Sequence, residues 1–65
     1  MNMDEFMQVL RTELILSIEV RIRNVGWLEW LYVGPITGIP AELFQREIFD
    51  IHRRDDRCFI IVLND

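Results

Sequence analysis

The sequence of 65 residues contains one cysteine, Cys58, and one histidine, His52. One cysteine cannot form a disulfide within the chain, and no cysteine and histidine residues have the spacing of a metal site. All seven basic residues are arginine. Without a lysine there is no GxxxxGK[ST] phosphate loop, and the GxGxxG, HExxH and CxxC motifs are also absent. No apolar run reaches the ~18–20 residues that a membrane span requires. We therefore expect a domain without a cofactor, a metal or a membrane segment.

The composition predicts a folded protein. Hydrophobic residues make up 51% and charged residues 28% of the chain, a balance that excludes intrinsic disorder. The net charge of -4 disfavours nucleic acid as a partner, because nucleic-acid-binding proteins normally carry a basic excess. The first five residues are acidic where a secretory signal would be basic, so the expected location is the cytoplasm.

The short length favours association with another chain. A domain of this size buries only about 60% of the surface that its unfolded chain exposes. Below ~70–80 residues, one core rarely supplies more than ~3–5 kcal/mol of stability without a disulfide, a metal or a partner. Half of the residues are hydrophobic, which is more than one small core easily hides. We expect a homodimer or a tight contact with a protein partner.

The first segment has the pattern of an amphipathic helix. Asn2 and Glu5 have the spacing of a capping box, and Asp4 is favourably placed against the helix dipole. The apolar residues that follow have helical spacing: Met3, Phe6, Met7, Leu10 and Leu14. We expect the helix to end near residues 11–13.

A change to twofold periodicity predicts the first strand. Its apolar positions are Leu14, Leu16, Ile18, Val20 and Ile22. They alternate with Ile15, Ser17, Glu19, Arg21 and Arg23, a face that should contact water. Residues 24–26 then supply a turn, in which Gly26 is free to adopt a positive φ. Residues 27–33 are predicted to return as a second strand.

The rest of the chain predicts a loop, a short helix and a hairpin. Residues 34–40 contain both prolines, and Pro40 suits the first position of a short helix. Residues 47–53 are predicted as a third strand, residues 54–57 as a charged turn and residues 58–63 as an apolar fourth strand. We therefore expect residues 1–65 to form a single small α+β domain. Its N-terminal helix packs on a mainly antiparallel four-stranded sheet, in the order helix, strand, strand, short helix, strand, strand.

Predicted strands two and four lack a polar face, and a two-layer domain covers only one face of its sheet. Exposed apolar patches mark interaction sites, and Trp and Tyr dominate binding hot spots. The candidate partner interface consists of Trp27, Trp30, Tyr32, Ile60 and Val62. In one alternative, residues 34–46 fold back over that face and make both faces core. In another, the aromatic residues stack a base or nucleotide.

His52 and Cys58 are the only candidates for a catalytic base and nucleophile. If Arg53 pairs with Arg57 across the hairpin, the His52 and Cys58 side chains share one face. In the alternative register, His52 lies opposite Phe59. No orienting residue or oxyanion-binding loop accompanies the pair. We expect no enzymatic activity and assign no catalytic residue.

Arg53, Arg54 and Arg57 cluster at the predicted charged turn. Arginine side chains bind carboxylate or phosphate bidentately, so these residues are candidate anion contacts. Alternatively, Asp55 and Asp56 neutralise them locally. The alternative function is a small-ligand or nucleotide binder that uses the aromatic strand and the arginine cluster at an oligomer interface.

From Ile15 to Leu63 the chain resembles small proteins of bacteriophages and mobile elements. The resemblance rests on the alternating first strand, the Trp30-Leu31-Tyr32-Val33-Gly34 stretch and Gly38-Ile39-Pro40. It extends to the Ile48-x-x-Ile51 strand before a charged turn and an apolar last strand. The resemblance implies no catalytic residues. It implies a regulator or inhibitor of another protein, so the expected function is that of a non-enzymatic protein-interaction module.

Overall fold

The computed structural model describes residues 1–9 and 17–64 of the chain. Its regular elements are α1 (Met3–Val9), β1 (Glu19–Asn24), β2 (Tyr32–Pro35), β3 (Ile48–Asp55) and β4 (Cys58–Leu63). Two short 3-10 helices, Ile36–Gly38 and Ala41–Leu43, lie between β2 and β3. The predicted α+β class is confirmed, and β4 has the predicted bounds.

Helix α1 begins at the predicted capping box. The Glu5 N–H donates to Asn2 Oδ1 at 2.8 Å, and the Asn2 N–H donates to Glu5 Oε1 at 3.0 Å. These reciprocal bonds satisfy backbone donors near the start of the helix, which have no partner within it. The predicted helix end and the predicted apolar positions Leu10 and Leu14 lie outside the described residues.

The apolar face of α1 packs on the sheet. Met3 and Phe6 are buried, and Met7 packs against the same cluster. The Phe6 ring meets the Phe59 ring of β4 edge to face, with 6.0 Å between ring centroids. This is a favoured geometry for aromatic pairs. The helical spacing therefore predicted the buried face of α1 correctly within the described residues.

The four strands lie in the order β2-β1-β4-β3. β1 pairs with β2 and β3 with β4 in antiparallel fashion, while the central strands β1 and β4 are parallel. Both predicted hairpins are therefore present, and the sheet is mixed but mostly antiparallel. A parallel pair cannot be joined by a tight turn. Residues 36–47, the crossover, carry the chain from the β2 edge to the β3 edge.

One face of the sheet forms the core together with α1 and the crossover. The buried cluster consists of Met3, Phe6, Ile18, Val20, Ile22, Ile36, Ile39, Leu43, Ile61 and Leu63. The crossover side chains Ile36, Ile39 and Leu43 thus join α1 on this face. This contradicts the alternative in which residues 34–46 cover the opposite face.

The second strand is shorter than predicted, because residues 27–31 form an irregular connection instead of a strand. Arg23 of β1 donates from Nη1 to the Trp27 carbonyl at 3.1 Å. The carbonyl is therefore bonded to a side chain instead of to a neighbouring strand. The Trp27 N–H donates to the Asn24 carbonyl at 3.0 Å and closes a turn. Gly26 has a φ of 81° in that turn, as predicted.

The charged turn is also shorter than predicted, because β3 continues to Asp55. Asp55 pairs with Cys58, so only Asp56 and Arg57 remain in the turn. Asp55 Oδ1 accepts a hydrogen bond from the Arg57 N–H at 2.9 Å. This bond stabilises a two-residue turn, whereas the charged sequence predicted a turn of four residues, 54–57.

A buried amide links three parts of the chain. Asn24 is 5% exposed and is the only buried polar side chain among the described residues. Arg46 Nη2 donates to Asn24 Oδ1 at 2.5 Å and to the Asn64 carbonyl at 2.7 Å. One guanidinium therefore joins the end of β1, the crossover and the residue after β4.

Replacement of Arg46 by Met should lower the free energy of unfolding by about 1–3 kcal/mol, because it leaves the buried Asn24 acceptor unsatisfied. Arg54→Met is the matched control on an exposed side chain and should change stability by less than about 0.5 kcal/mol. Urea unfolding followed by circular dichroism measures both. Equal effects of the two variants would show that the Arg46 bonds contribute nothing specific.

Candidate interaction surface

The face of the sheet opposite the core, here the second face, combines charged and apolar side chains. It is formed by Glu19, Arg21, Arg23, Val33, Pro35, Asp50, His52, Cys58, Ile60 and Val62. In its middle, Arg21 lies between Val33 of β2 and Ile60 of β4. The predicted alternation of β1 is thus correct for the described positions, but its charged residues stand beside apolar neighbours.

Two arginines of β1 hold the connection to β2 against the second face. The Arg21 guanidinium lies over the Trp30 ring, 5.9 Å from the ring centroid. Such cation–π contacts contribute about 0.5–1 kcal/mol at exposed sites. Arg23 Nη1 donates to the Trp27 carbonyl at 3.1 Å and to the Asn24 carbonyl at 3.3 Å. Residues 27–31, here the apolar loop, are therefore anchored by side chains from the strand that precedes them.

The apolar loop concentrates the exposed hydrophobic surface. Seven large hydrophobic side chains are exposed among the described residues, and five of them lie within residues 27–33. These five are Trp27, Leu28, Trp30, Leu31 and Val33. Leu28 is 96% exposed, and with Trp27 and Glu29 it lines a shallow concavity of about 380 Å³. Exposed apolar side chains concentrated in one loop are typical of interaction sites.

The predicted interface residues fall into two groups. Trp27 and Trp30 are 46% and 41% exposed and lie in the apolar loop, so the prediction that they belong to a strand is wrong. Ile60 is half-buried on the second face. Val62, in contrast, is 3% exposed, so its side chain is part of the packed protomer and offers almost no surface to a partner.

Tyr32 is the third predicted aromatic contact, and its phenol points back into the chain. The Tyr32 hydroxyl donates to the Pro35 carbonyl at 2.6 Å. A Cβ atom on Gly38 would lie 2.5 Å from the Tyr32 hydroxyl oxygen, and one on Gly34 would lie 2.9 Å from it. A side chain at either position would therefore displace the Tyr32 hydroxyl from the Pro35 carbonyl. Tyr32 shapes the start of the crossover, and only part of it faces solvent.

Leu28 is the most exposed large hydrophobic residue among the described residues, and it was absent from the predicted interface. The predicted strand over residues 27–33 did not distinguish it from its neighbours. A signal was nonetheless present, because Leu28 follows closely on the turn glycine Gly26 and stands between two tryptophans. The role of Arg21 was also missed, since a charged residue on a polar strand face gives no sign of an aromatic neighbour.

The structure does not bring His52 and Cys58 together. His52 lies opposite Ile60, and Cys58 lies opposite Asp55, so neither predicted hairpin register is correct. The turn at Asp56 and Arg57 places Cys58 opposite Asp55, three residues beyond His52 in β3. The His52 imidazole instead contacts Asp50 Oδ2 at 2.9 Å on the exposed surface.

The three arginines predicted as anion contacts are exposed at the β3–β4 hairpin. Arg53 Nη2 lies 3.3 Å from Asp56 Oδ1. Arg54 and Arg57 line an open cleft of about 600 Å³, together with Glu19, Arg21, Asp55, Asp56 and Cys58. Three arginines and three carboxylates balance in this cleft. The arrangement agrees with local neutralisation and gives an anion no excess of positive charge.

Comparison of the chain with protein-family models, with curated proteins and with solved structures finds no match. The resemblance to small phage and mobile-element proteins therefore stays a prediction. Within residues 1–9 and 17–64, no helix is long and apolar enough to cross a membrane. The same residues contain no group of three His, Cys, Asp or Glu side chains that could hold a metal ion.

Substitutions of Leu28 and Val62 should distinguish a side chain that is free to contact a partner from one that packs within the protomer. Val62→Ala should lower the free energy of unfolding by about 2 kcal/mol, because it removes buried methyl groups and leaves a cavity. Leu28→Ala should change it by less than about 0.5 kcal/mol, since the side chain is already in water. Urea unfolding at low protein concentration measures both. A large cost for Leu28→Ala would mean that Leu28 belongs to the core.

Proposed function

We propose that this protein is a non-enzymatic interaction module that binds another protein chain through the apolar loop and the adjoining part of the second face. The observation that carries the proposal is the 96% exposure of Leu28 between two tryptophans that are themselves almost half exposed. Fully exposed leucine beside Trp gains free energy when a partner removes it from water. Trp side chains at the centre of an interface often contribute about 2 kcal/mol or more each.

The apolar loop is preorganised for binding. Its first residue, Trp27, has both backbone polar groups bonded, the N–H to the Asn24 carbonyl and the carbonyl to Arg23. At its other end the Leu31 N–H donates to the Ile22 carbonyl at 2.6 Å. A loop that is held at both ends loses less conformational entropy when it binds. This supports a contact surface that exists before the partner arrives.

The two sheet edges are poor alternatives for partner binding. β2 is four residues long and ends at Pro35, which has no N–H to donate. On β3, the Ile48 N–H is bonded to the Met1 carbonyl, and the Ile51 N–H is bonded to Asp50 Oδ1. Two register shifts interrupt β3 as well. Such features oppose the addition of a further strand, so the face and the loop are the favoured contact surface.

A module of this kind acts by occupying the surface of its partner. That mode of action agrees with the regulatory or inhibitory role that the resemblance to small phage and mobile-element proteins implies. We also propose a cytoplasmic location, because Cys58 is a free thiol and free thiols are typical of reducing compartments.

The rival function, a small-ligand or nucleotide binder, has less support. Cys58, at the β3–β4 hairpin, lies beside Glu19 at the start of β1, whereas the apolar loop follows the end of β1 at Asn24. Trp27 and the hairpin therefore lie at opposite ends of that strand. Arg21, which contacts the Trp30 ring, lines the cleft of the hairpin arginines, but the carboxylates of that cleft leave no excess of positive charge for a nucleotide.

A photo-cross-linker tests the proposal directly. Benzoyl-phenylalanine at position 28, illuminated in an extract of the protein's own cells, should give a discrete covalent adduct whose mass identifies the bound chain. The same group at position 37, an exposed threonine of the crossover, is the control and should give none. Unlabelled protein should compete the adduct away. Identical products from both positions, or no product from position 28, would contradict the proposal that the apolar loop binds a partner.

A further inference from the structure

The last residue of β1 has a polar side chain at a position where the strand pattern predicts an apolar one. Val20, Ile22 and Asn24 alternate on the core face of the strand, and Asn24 is 5% exposed. An amide buried in this way lowers stability unless a hydrogen bond satisfies it. Arg46 of the crossover supplies that bond, because its Nη2 donates to Asn24 Oδ1 at 2.5 Å. The amide therefore connects the end of β1 to the crossover.

The backbone carbonyl of the same asparagine holds the start of the apolar loop. It accepts a hydrogen bond from the Trp27 N–H at 3.0 Å and another from Arg23 Nη1 at 3.3 Å. The Trp27 carbonyl accepts a bond from the same Arg23 nitrogen at 3.1 Å. Both backbone polar groups of Trp27 are thus bonded to Asn24 or Arg23. The direction of the Asn24 carbonyl therefore determines how the apolar loop leaves the sheet.

Two further contacts fix the position of Asn24. In the parallel pair of central strands Asn24 lies beside Leu63, and the Val25 N–H donates to the Leu63 carbonyl at 2.8 Å. Arg46 Nη2 also donates to the Asn64 carbonyl at 2.7 Å, so one guanidinium bonds Asn24 and the residue after β4 together. A change at Arg46 is therefore passed to Asn24, and through its carbonyl to the apolar loop.

We infer that Asn24 and Arg46 are positioning residues for the apolar loop, a surface to which neither side chain belongs. The inference rests on the proposed function, because it names the groups that preorganise the same surface. The bond between the two side chains holds the Asn24 carbonyl in place, so Trp27 and Leu28 are presented in one arrangement. A partner then loses less conformational entropy in ordering the loop. An apolar residue at position 24 would satisfy the pattern of β1 but would remove the acceptor for Arg46.

Amide hydrogen exchange measures the effect on the loop directly. In Asn24→Leu, the Trp27 amide should exchange at least about 10-fold faster relative to the amides of β4, because the loop opens while the sheet stays folded. Asn24→Asp keeps an acceptor oxygen for Arg46 and should leave this ratio within about twofold of the wild-type value. Ile36→Val removes a buried methyl group near the other end of β1 and should leave the ratio unchanged.

Cross-linking from position 28 tests whether the ordered loop is needed for binding. With benzoyl-phenylalanine at that position, Asn24→Leu and Arg46→Met should give at least about fivefold less adduct than the wild-type protein, at a temperature where every variant is folded. Asn24→Asp and Ile36→Val should retain the wild-type yield. The first of these controls restores the acceptor, and the second lowers stability without a change at Asn24.

Three results would overturn the inference. Equal acceleration at Trp27 and throughout β4 in Asn24→Leu would mean that the amide only stabilises the fold. A yield that Ile36→Val lowers as much as Arg46→Met would have the same meaning. Faster exchange at Trp27 with an unchanged yield would mean that the partner does not need the ordered loop. If the wild-type protein gives no adduct at all, the proposed function is rejected, and the exchange ratio alone then decides whether Asn24 orders the loop.

Discussion

The parallel pairing of β1 with β4 at the centre of the sheet is the constraint on which the rest of the structure depends. Parallel neighbours cannot be joined by a tight turn, so the chain must travel from one edge of the sheet to the other before β3 and β4 form. The crossover makes that passage over the face already covered by α1, where Ile36, Ile39 and Leu43 enter the core. Helix and crossover together fill one face, and neither is available for the other.

The second face carries exposed charged side chains because α1 and the crossover both pack on the other face of the sheet. In β1 the buried residues Val20 and Ile22 alternate with Arg21 and Arg23, so two long cationic side chains stand on the face that α1 and the crossover leave open. Both arginines then hold the apolar loop, one through the Trp30 ring and one through a backbone carbonyl. Leu28 of that loop is 96% exposed among the described residues.

Several features could be predicted from the sequence because they depend on local chemistry. The capping box between Asn2 and Glu5 needs only a spacing of three residues, and the positive φ of Gly26 needs only a turn. The bounds of β4 follow from an apolar run between the charged Arg57 and the polar Asn64. Residues 27–31 were assigned wrongly, because a segment that is apolar at nearly every position shows no period. Pairing partners decide whether such a segment becomes a strand, and Arg23 removes the Trp27 carbonyl from pairing.

By itself, the sequence determined the class of the fold and the buried side of β1. It also determined that the chain has more apolar residues than one small core easily buries. These properties depend on periodicity and composition, which are readable along the chain. Tertiary structure alone decided the order of the strands, the register of the β3–β4 hairpin and the exposure of each aromatic residue. Strand order and aromatic exposure depend on contacts between residues that are distant in sequence, and the register of the hairpin depends on which residues form its turn. Cys58 therefore lies opposite Asp55 instead of His52, and Tyr32 lies beside the buried Ile22 of β1.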